Sequence, residues 1–104
     1  MSRIETLKRF LEDDPKDSFS RYALALEYVK VEQNEDAVRE FNTVMQNDPD
    51  YVATYYHLGQ LYQKLGITHE AEKTYRMGVT VAGRVGDSHA QSELETALNL
   101  LLGI

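Results

Sequence analysis

Cysteine and tryptophan are absent from this chain of 104 residues, and proline occurs only twice. Without cysteine there is no disulfide and no thiolate metal site, and the opening Met-Ser-Arg-Ile-Glu lacks the apolar core of a secretion signal, so a cytoplasmic location is expected. No stretch approaches the roughly 20 apolar residues that a membrane span requires. Positive charge is also scarce. The 11 Lys and Arg face 17 Asp and Glu, a net charge of -6, and the basic residues are scattered instead of gathered into a stripe. Such a chain repels a phosphate backbone, so nucleic acid is not an expected partner and basic or neutral partners fit better. Strand-like alternation and an Asn-Gly hairpin signal are missing as well, which leaves an all-α reading.

What the chain does have is a period. Tyr22, Leu24, Tyr28, Lys30 and Ala37 recur 34 residues later as Tyr56, Leu58, Tyr62, Lys64 and Ala71, and Pro15 recurs as Pro49. A fixed period of this length means stacked copies of one supersecondary unit, none of which buries its apolar face alone. The expected architecture is a short α-α solenoid of about six antiparallel helices, and the 42% apolar and 27% charged composition is that of an ordinary globular domain.

Capping and breaking signals place the helices. Ser2 with Glu5 forms a capping box, and Ile4, Leu7 and Leu11 make one apolar stripe, giving a helix over about 3 to 13 that Pro15 ends. The second spans about 18 to 31. Asn34 is expected to cap a third over 35 to 47, with Ala37, Val38, Phe41, Val44 and Met45 facing inward. A fourth covers about 51 to 65 and ends at Gly66, and Thr68 is expected to cap a fifth, which Gly83 to Gly86 interrupts. Ser88 with Gln91 suggests a second capping box for a sixth helix over 88 to 102, carrying Ala90, Leu94, Ala97, Leu98 and Leu101.

Tyr55, Leu58, Gly59, Tyr62, Ala71 and Tyr75 resemble the tetratricopeptide repeat pattern of aromatic-x2-Leu-Gly-x2-Tyr followed by Ala-x3-aromatic. Leu24, Ala25, Tyr28, Ala37, Phe41 and Pro49 repeat it, with Arg21 in place of the first aromatic and Ala25 in place of the glycine. In the second repeat Gly83 stands where the closing proline would fall. The resemblance implies one domain over 1–104: an N-terminal half-repeat helix (1–17), repeats over 18–51 and 52–85, and a C-terminal capping helix over 86–104. The whole is similar to small stand-alone bacterial proteins of this family.

Helix two carries two apolar stripes. Leu24, Ala25, Tyr28 and Val31 form one, and Phe19, Tyr22, Leu26 and Val29 form another roughly opposite, which something else must cover. In the family these first helices line a concave groove. The resemblance therefore implies a partner-binding set of Phe19, Tyr22, Leu26, Val29 and Lys30, then Ala53, Tyr56, Gln60, Gln63 and Lys64, with His57 as a possible donor. A peptide or helix of another protein is the expected occupant. Some members clamp a chaperone's C-terminal carboxylate with Lys, Asn and Arg, but here Tyr22, Leu26, His57, Asp87 and Gln91 stand at those places, so that reading is rejected.

His57, His69 and His89 lie on three helices without a His or Cys partner at i+3 or i+4, so neither a metal nor a cofactor is expected. The acidic run at Glu12, Asp13, Asp14 and Asp17 lacks the spacing of a calcium loop, and Ser88 beside His89 makes no nucleophile–base pair. An enzyme is not expected. Self-association is the alternative to partner binding, since Leu100-Leu101-Leu102-Gly103-Ile104 adds apolar surface beyond the last stripe, and a homodimer would cover it.

Overall fold

A computed structural model describes residues Met1–Ile104, with six α-helices and no strand. They are α1 (Arg3–Asp13), α2 (Ser18–Lys30), α3 (Asn34–Asn47), α4 (Ala53–Lys64), α5 (Thr68–Val85) and α6 (Ser88–Leu102). The chain divides into two compact units, Met1–Tyr51 and Val52–Ile104.

In the first unit α2 packs against both α1 and α3. Its core is Leu7 and Leu11 from α1, Leu24, Ala25 and Tyr28 from α2, and Ala37, Phe41 and Val44 from α3. Ala25 and Ala37 are completely buried, and their small side chains leave room for the Tyr28 and Phe41 rings. Val31, expected in the same stripe, is 53% exposed because α2 ends at Lys30 and the chain turns away there. Arg21, which stands where the repeat has an aromatic, donates from Nη1 to Glu40 Oε1 on α3 at 2.7 Å and from Nη2 to the Pro15 carbonyl at 2.8 Å.

In the second unit α5 packs against α4 and α6, which also touch each other. Tyr55, Leu58, Leu61, Ala71, Tyr75, Ala82, Leu94, Ala97 and Leu98 fill the interior. Gly59 faces the Tyr75 ring, and Gly78 faces Tyr55 and Leu94, so both glycines sit where helices approach closely.

The helix ends use two devices. Asp14 and Asp48, each before a proline, close α1 and α3 in non-helical geometry. The other ends are left-handed turns closed by two reversed hydrogen bonds. In α2, Gln33 N donates to Tyr28 O and Glu32 N to Val29 O; in α4, Ile67 N donates to Tyr62 O and Gly66 N to Gln63 O. α5 and α6 end the same way at Gly86 and Gly103.

These turns correct three capping expectations. The residue that closes one helix also begins the next: Gln33 O accepts from Ala37 N, Ile67 O from Ala71 N, and Asp87 O from Gln91 N. The N-cap therefore falls one position before Asn34, Thr68 and Ser88. Gln33 and Ile67 make no side-chain cap, whereas the short carboxylate of Asp87 accepts from Ala90 N at 3.0 Å. Asn34, now inside the helix, keeps its Oδ1 buried without a hydrogen-bond partner. The α1 capping box is present as expected, with Glu5 N donating to Ser2 Oγ at 3.1 Å and Ser2 N to Glu5 Oε1 at 3.4 Å. α4 starts at Ala53, after a turn at Val52, so it is two residues shorter at that end than expected.

Glu32 holds φ at +59°, 34 residues before Gly66 at +76°, so a left-handed turn that glycine closes in one repeat is closed by a side-chain-bearing residue in the other. Left-handed geometry costs a residue with a Cβ about 1–2 kcal/mol, part of which glycine gives back through its freer unfolded chain. Glu32→Gly is expected to stabilise the protein by about 0.5–1 kcal/mol, raising the melting temperature by a few degrees in thermal denaturation.

Candidate functional site

Two faces of α2 are apolar, and only one is buried. Leu24, Ala25 and Tyr28 point into the first unit, while Phe19 on the other side is 60% exposed and Tyr22, Leu26 and Val29 are partly exposed. The structure thus groups the four expected aromatic and aliphatic residues on one helix face. Lys30 ends this face with its Nζ 2.9 Å from Glu27 Oε2, an exposed pair one turn apart.

Tyr22 is not an isolated anchor. Its ring lies 6.2 Å from that of Phe41 and 5.4 Å from that of Tyr51, tilted by 56° and 53°. Two carboxylates belong to the same region: Asp17, read from the sequence only as part of an acidic run, and Asp48, which it did not single out. Asp17, the N-cap of α2, accepts from Ser20 N at 3.3 Å and Ser20 Oγ at 2.6 Å, and these bonds hold its carboxyl below the usual range. Asp48, closing α3, accepts from Ser18 Oγ at 2.9 Å. Burial raises the Tyr51 phenol pKa, and the Asp17 and Asp48 charges push it further up; Tyr51 N also donates to the Asp48 carbonyl at 3.0 Å. The missed signal was local: an aspartate just before an apolar-periodic run and three residues ahead of a serine is an N-cap pattern.

On α4 the expected residues share a face of the second unit. Tyr56 and His57 are partly exposed, their rings edge to face at 5.5 Å. Burial lowers the His57 pKa, an effect the Glu93 carboxylate on α6 partly offsets. Gln60 and Gln63 are exposed but committed. Gln60 Nε2 donates to Tyr75 Oη at 2.9 Å, and that hydroxyl donates to Gln63 Oε1 at 3.0 Å. Each amide keeps its second polar atom, an oxygen on Gln60 and an NH2 on Gln63, one turn apart on the helix. Ala53 and Lys64 are exposed at the two ends of α4.

The first unit also holds an open cleft of about 300 Å³, lined by Lys8, Leu11, Glu12, Arg21, Leu24, Tyr28 and Glu40. Its basic groups are already engaged: Arg21 pairs with Glu40, and Lys8 Nζ sits 5.9 Å from the Tyr28 ring centroid. No three His, Asp or Glu side chains come together as metal ligands. No helix is long and apolar enough to cross a membrane.

Consecutive helix pairs that leave an apolar helix face uncovered define a class of helical-repeat interaction modules. The tetratricopeptide repeat profile matches residues 1–80, and the chain belongs to this family. A tetratricopeptide repeat domain protein of Salinibacter ruber, solved by NMR, is 44% identical, with a TM-score of 0.83 over 88% of this chain and 92% of that one. A TPR repeat-containing protein of Pseudomonas aeruginosa is 26% identical over 98 residues, spanning 94% of this chain and 93% of its own. The TPR2B domain of yeast Sti1, solved in complex with pHsp70, is 15% identical and shares the fold, with a TM-score of 0.89 over 96% of this chain and 80% of that one.

Burial pushes the Tyr75 phenol up to about 12, against an unfolded value of about 10. The folded state therefore keeps the proton where the unfolded state loses it, and stability falls as pH rises from about 10 towards 12. Melting temperatures measured across that range are expected to fall less steeply for Tyr75→Phe than for the natural protein, with Tyr51 sustaining part of the decline in both. Parallel curves would mean that the Tyr75 hydroxyl is solvated.

Proposed function

We propose that the chain is a non-catalytic binding module that holds a peptide or helix of another protein against the exposed apolar face of α2. The observation that carries this reading is the second apolar face of α2: Phe19, Tyr22, Leu26 and Val29 remain open after Leu24, Ala25 and Tyr28 have filled the core. Aromatic and aliphatic anchors on a rigid helix suit an apolar stripe of a partner, because little entropy is lost in ordering them. In the second unit, taken by itself, the α4 face offers Tyr56 beside His57, and the second polar atoms of Gln60 and Gln63 suit a partner's backbone N–H and C=O groups. Lys30 would border the α2 face, and Lys64 the α4 face. The Sti1 domain, similar in fold and solved with pHsp70, supports binding as the general use of this architecture. A cytoplasmic setting remains the expectation from a cysteine-free sequence.

Selection of a displayed library of random peptides of about 16 residues on the immobilised protein tests this reading. Enriched peptides are expected to bind the natural protein and to lose at least about tenfold in affinity with Phe19→Ala or Leu26→Ala, at an unchanged melting temperature. Tyr22→Ala is a poorer probe, since its ring also packs on Phe41. Binding that ignores Phe19 and Leu26 would remove the α2 face from the site.

A second reading rests on the other end of the chain. Leu100 is 73% exposed and Ile104 84%, with Leu102 also open, so the C-terminal turn offers a patch that a second copy could cover. Molecular mass measured over a hundredfold concentration range around micromolar decides it. A dimer that dissociates when Leu102 and Ile104 become Ser supports self-association, and a persistent monomer overturns it.

A further inference from the structure

The acidity of this protein is concentrated in one unit. Residues 1–51 carry seven Lys and Arg against twelve Asp and Glu, whereas residues 52–104 carry four against five, so nearly all of the net charge of -6 belongs to the first unit. That unit also carries the open aromatic face of α2.

Within it the ion pairs are Arg21–Glu40, Lys30–Glu27 and Arg39–Asp36, and none of them engages Asp17 or Asp48. Those two carboxylates are instead held by the hydroxyls of Ser20 and Ser18, which orient them without neutralising their charge. Tyr51 N donates to the Asp48 carbonyl at 3.0 Å, and its ring meets that of Tyr22 at 5.4 Å with a 53° tilt. Ring faces attract cations, and a carboxylate at the ring edge adds direct charge pairing. Burial is the main cause of the raised Tyr51 phenol pKa, and the Asp17 and Asp48 charges add to it.

Resting on the binding reading above, we infer that the partner segment is basic and amphipathic. Its apolar stripe covers Phe19, Leu26 and Val29, and one Lys or Arg side chain seats on the Tyr22 and Tyr51 rings beside the Asp17 and Asp48 carboxylates. A planar guanidinium suits the site better than an ammonium, because it stacks on a ring while its edge donates to a carboxylate. An acidic or neutral segment with the same apolar stripe lacks this contact and meets the repulsive or indifferent field of the first unit.

The peptide library supplies the test. Enriched peptides are expected to be net positive, with an Arg or Lys next to the apolar stripe. Resynthesis of the tightest peptide with its Lys and Arg replaced by Gln is expected to weaken binding at least about tenfold, and the double variant Asp17→Asn, Asp48→Asn to weaken the original peptide similarly while flattening its salt dependence. Asparagine is as good an N-cap as aspartate and keeps an acceptor for each serine, so an unchanged melting temperature is expected of the double variant. Enriched peptides that need Phe19 and Leu26 but are neutral or acidic, or that bind the double variant as tightly as the natural protein, overturn this inference and leave the binding reading standing. A library that yields no enriched peptide overturns both.

Discussion

A Cβ placed on Gly59 would lie 2.3 Å from Cε1 of Tyr75, closer than any real side chain tolerates. Close approach between the helices of a pair is the constraint on which each unit depends, and the chain meets it with the smallest residues it has: Gly59 and Ala71 in the second unit, Ala25 and Ala37 in the first. Once the backbones are that close, large rings close the remaining space, Tyr28 and Phe41 in the first unit and Tyr55 and Tyr75 in the second. Phe41 and Tyr75 are both fully buried, and a single extra methylene in such a core already forces rotamers or backbone to move.

Short connections carry that packing through the chain. The three residues between α2 and α3, and between α4 and α5, leave none spare, so Gln33 and Ile67 each end one helix and begin the next. The N-cap position is thus chosen by the turn before it, and the good capping residues Asn34 and Thr68 fall one place inside the helix. The same rule explains why Asp87 succeeds: it stands at the shared position and has a side chain short enough to reach Ala90 N.

Burying one stripe of a helix leaves its other side to do something else. For α2 the other side is aromatic and aliphatic, which a solvated helix does not need. On the binding reading proposed above, that leftover face is where a partner docks, so its residues answer to the partner and not to the core. Arg21 shows the reverse case. It replaces an aromatic of the repeat pattern and retains a structural role by pairing with Glu40 at a site where both side chains are less than one-fifth exposed. A pair so sheltered depends on both partners, since a lone charge there would lack compensation.

The 34-residue period, the two prolines and the small-residue positions decided the helix count, the family and the core, because each follows from local geometry or from a repeating contact that leaves its spacing in the chain. α1 was legible to the residue, capping box included, since both of its signals act within four positions. The open face of α2 was legible too, as a second stripe without a helix to bury it. What lay beyond the sequence were the contacts between residues far apart in number. Ser18 with Asp48, Tyr22 with Phe41 and Tyr51, and Arg21 with Glu40 are invisible to periodicity and depend on where α3 falls against α2. Gln60 and Gln63 read as polar groove residues, and only the position of the Tyr75 hydroxyl showed that half of each amide is already used. Sequence period fixes which face of a helix turns inward; tertiary packing alone decides which polar atoms on that helix remain free.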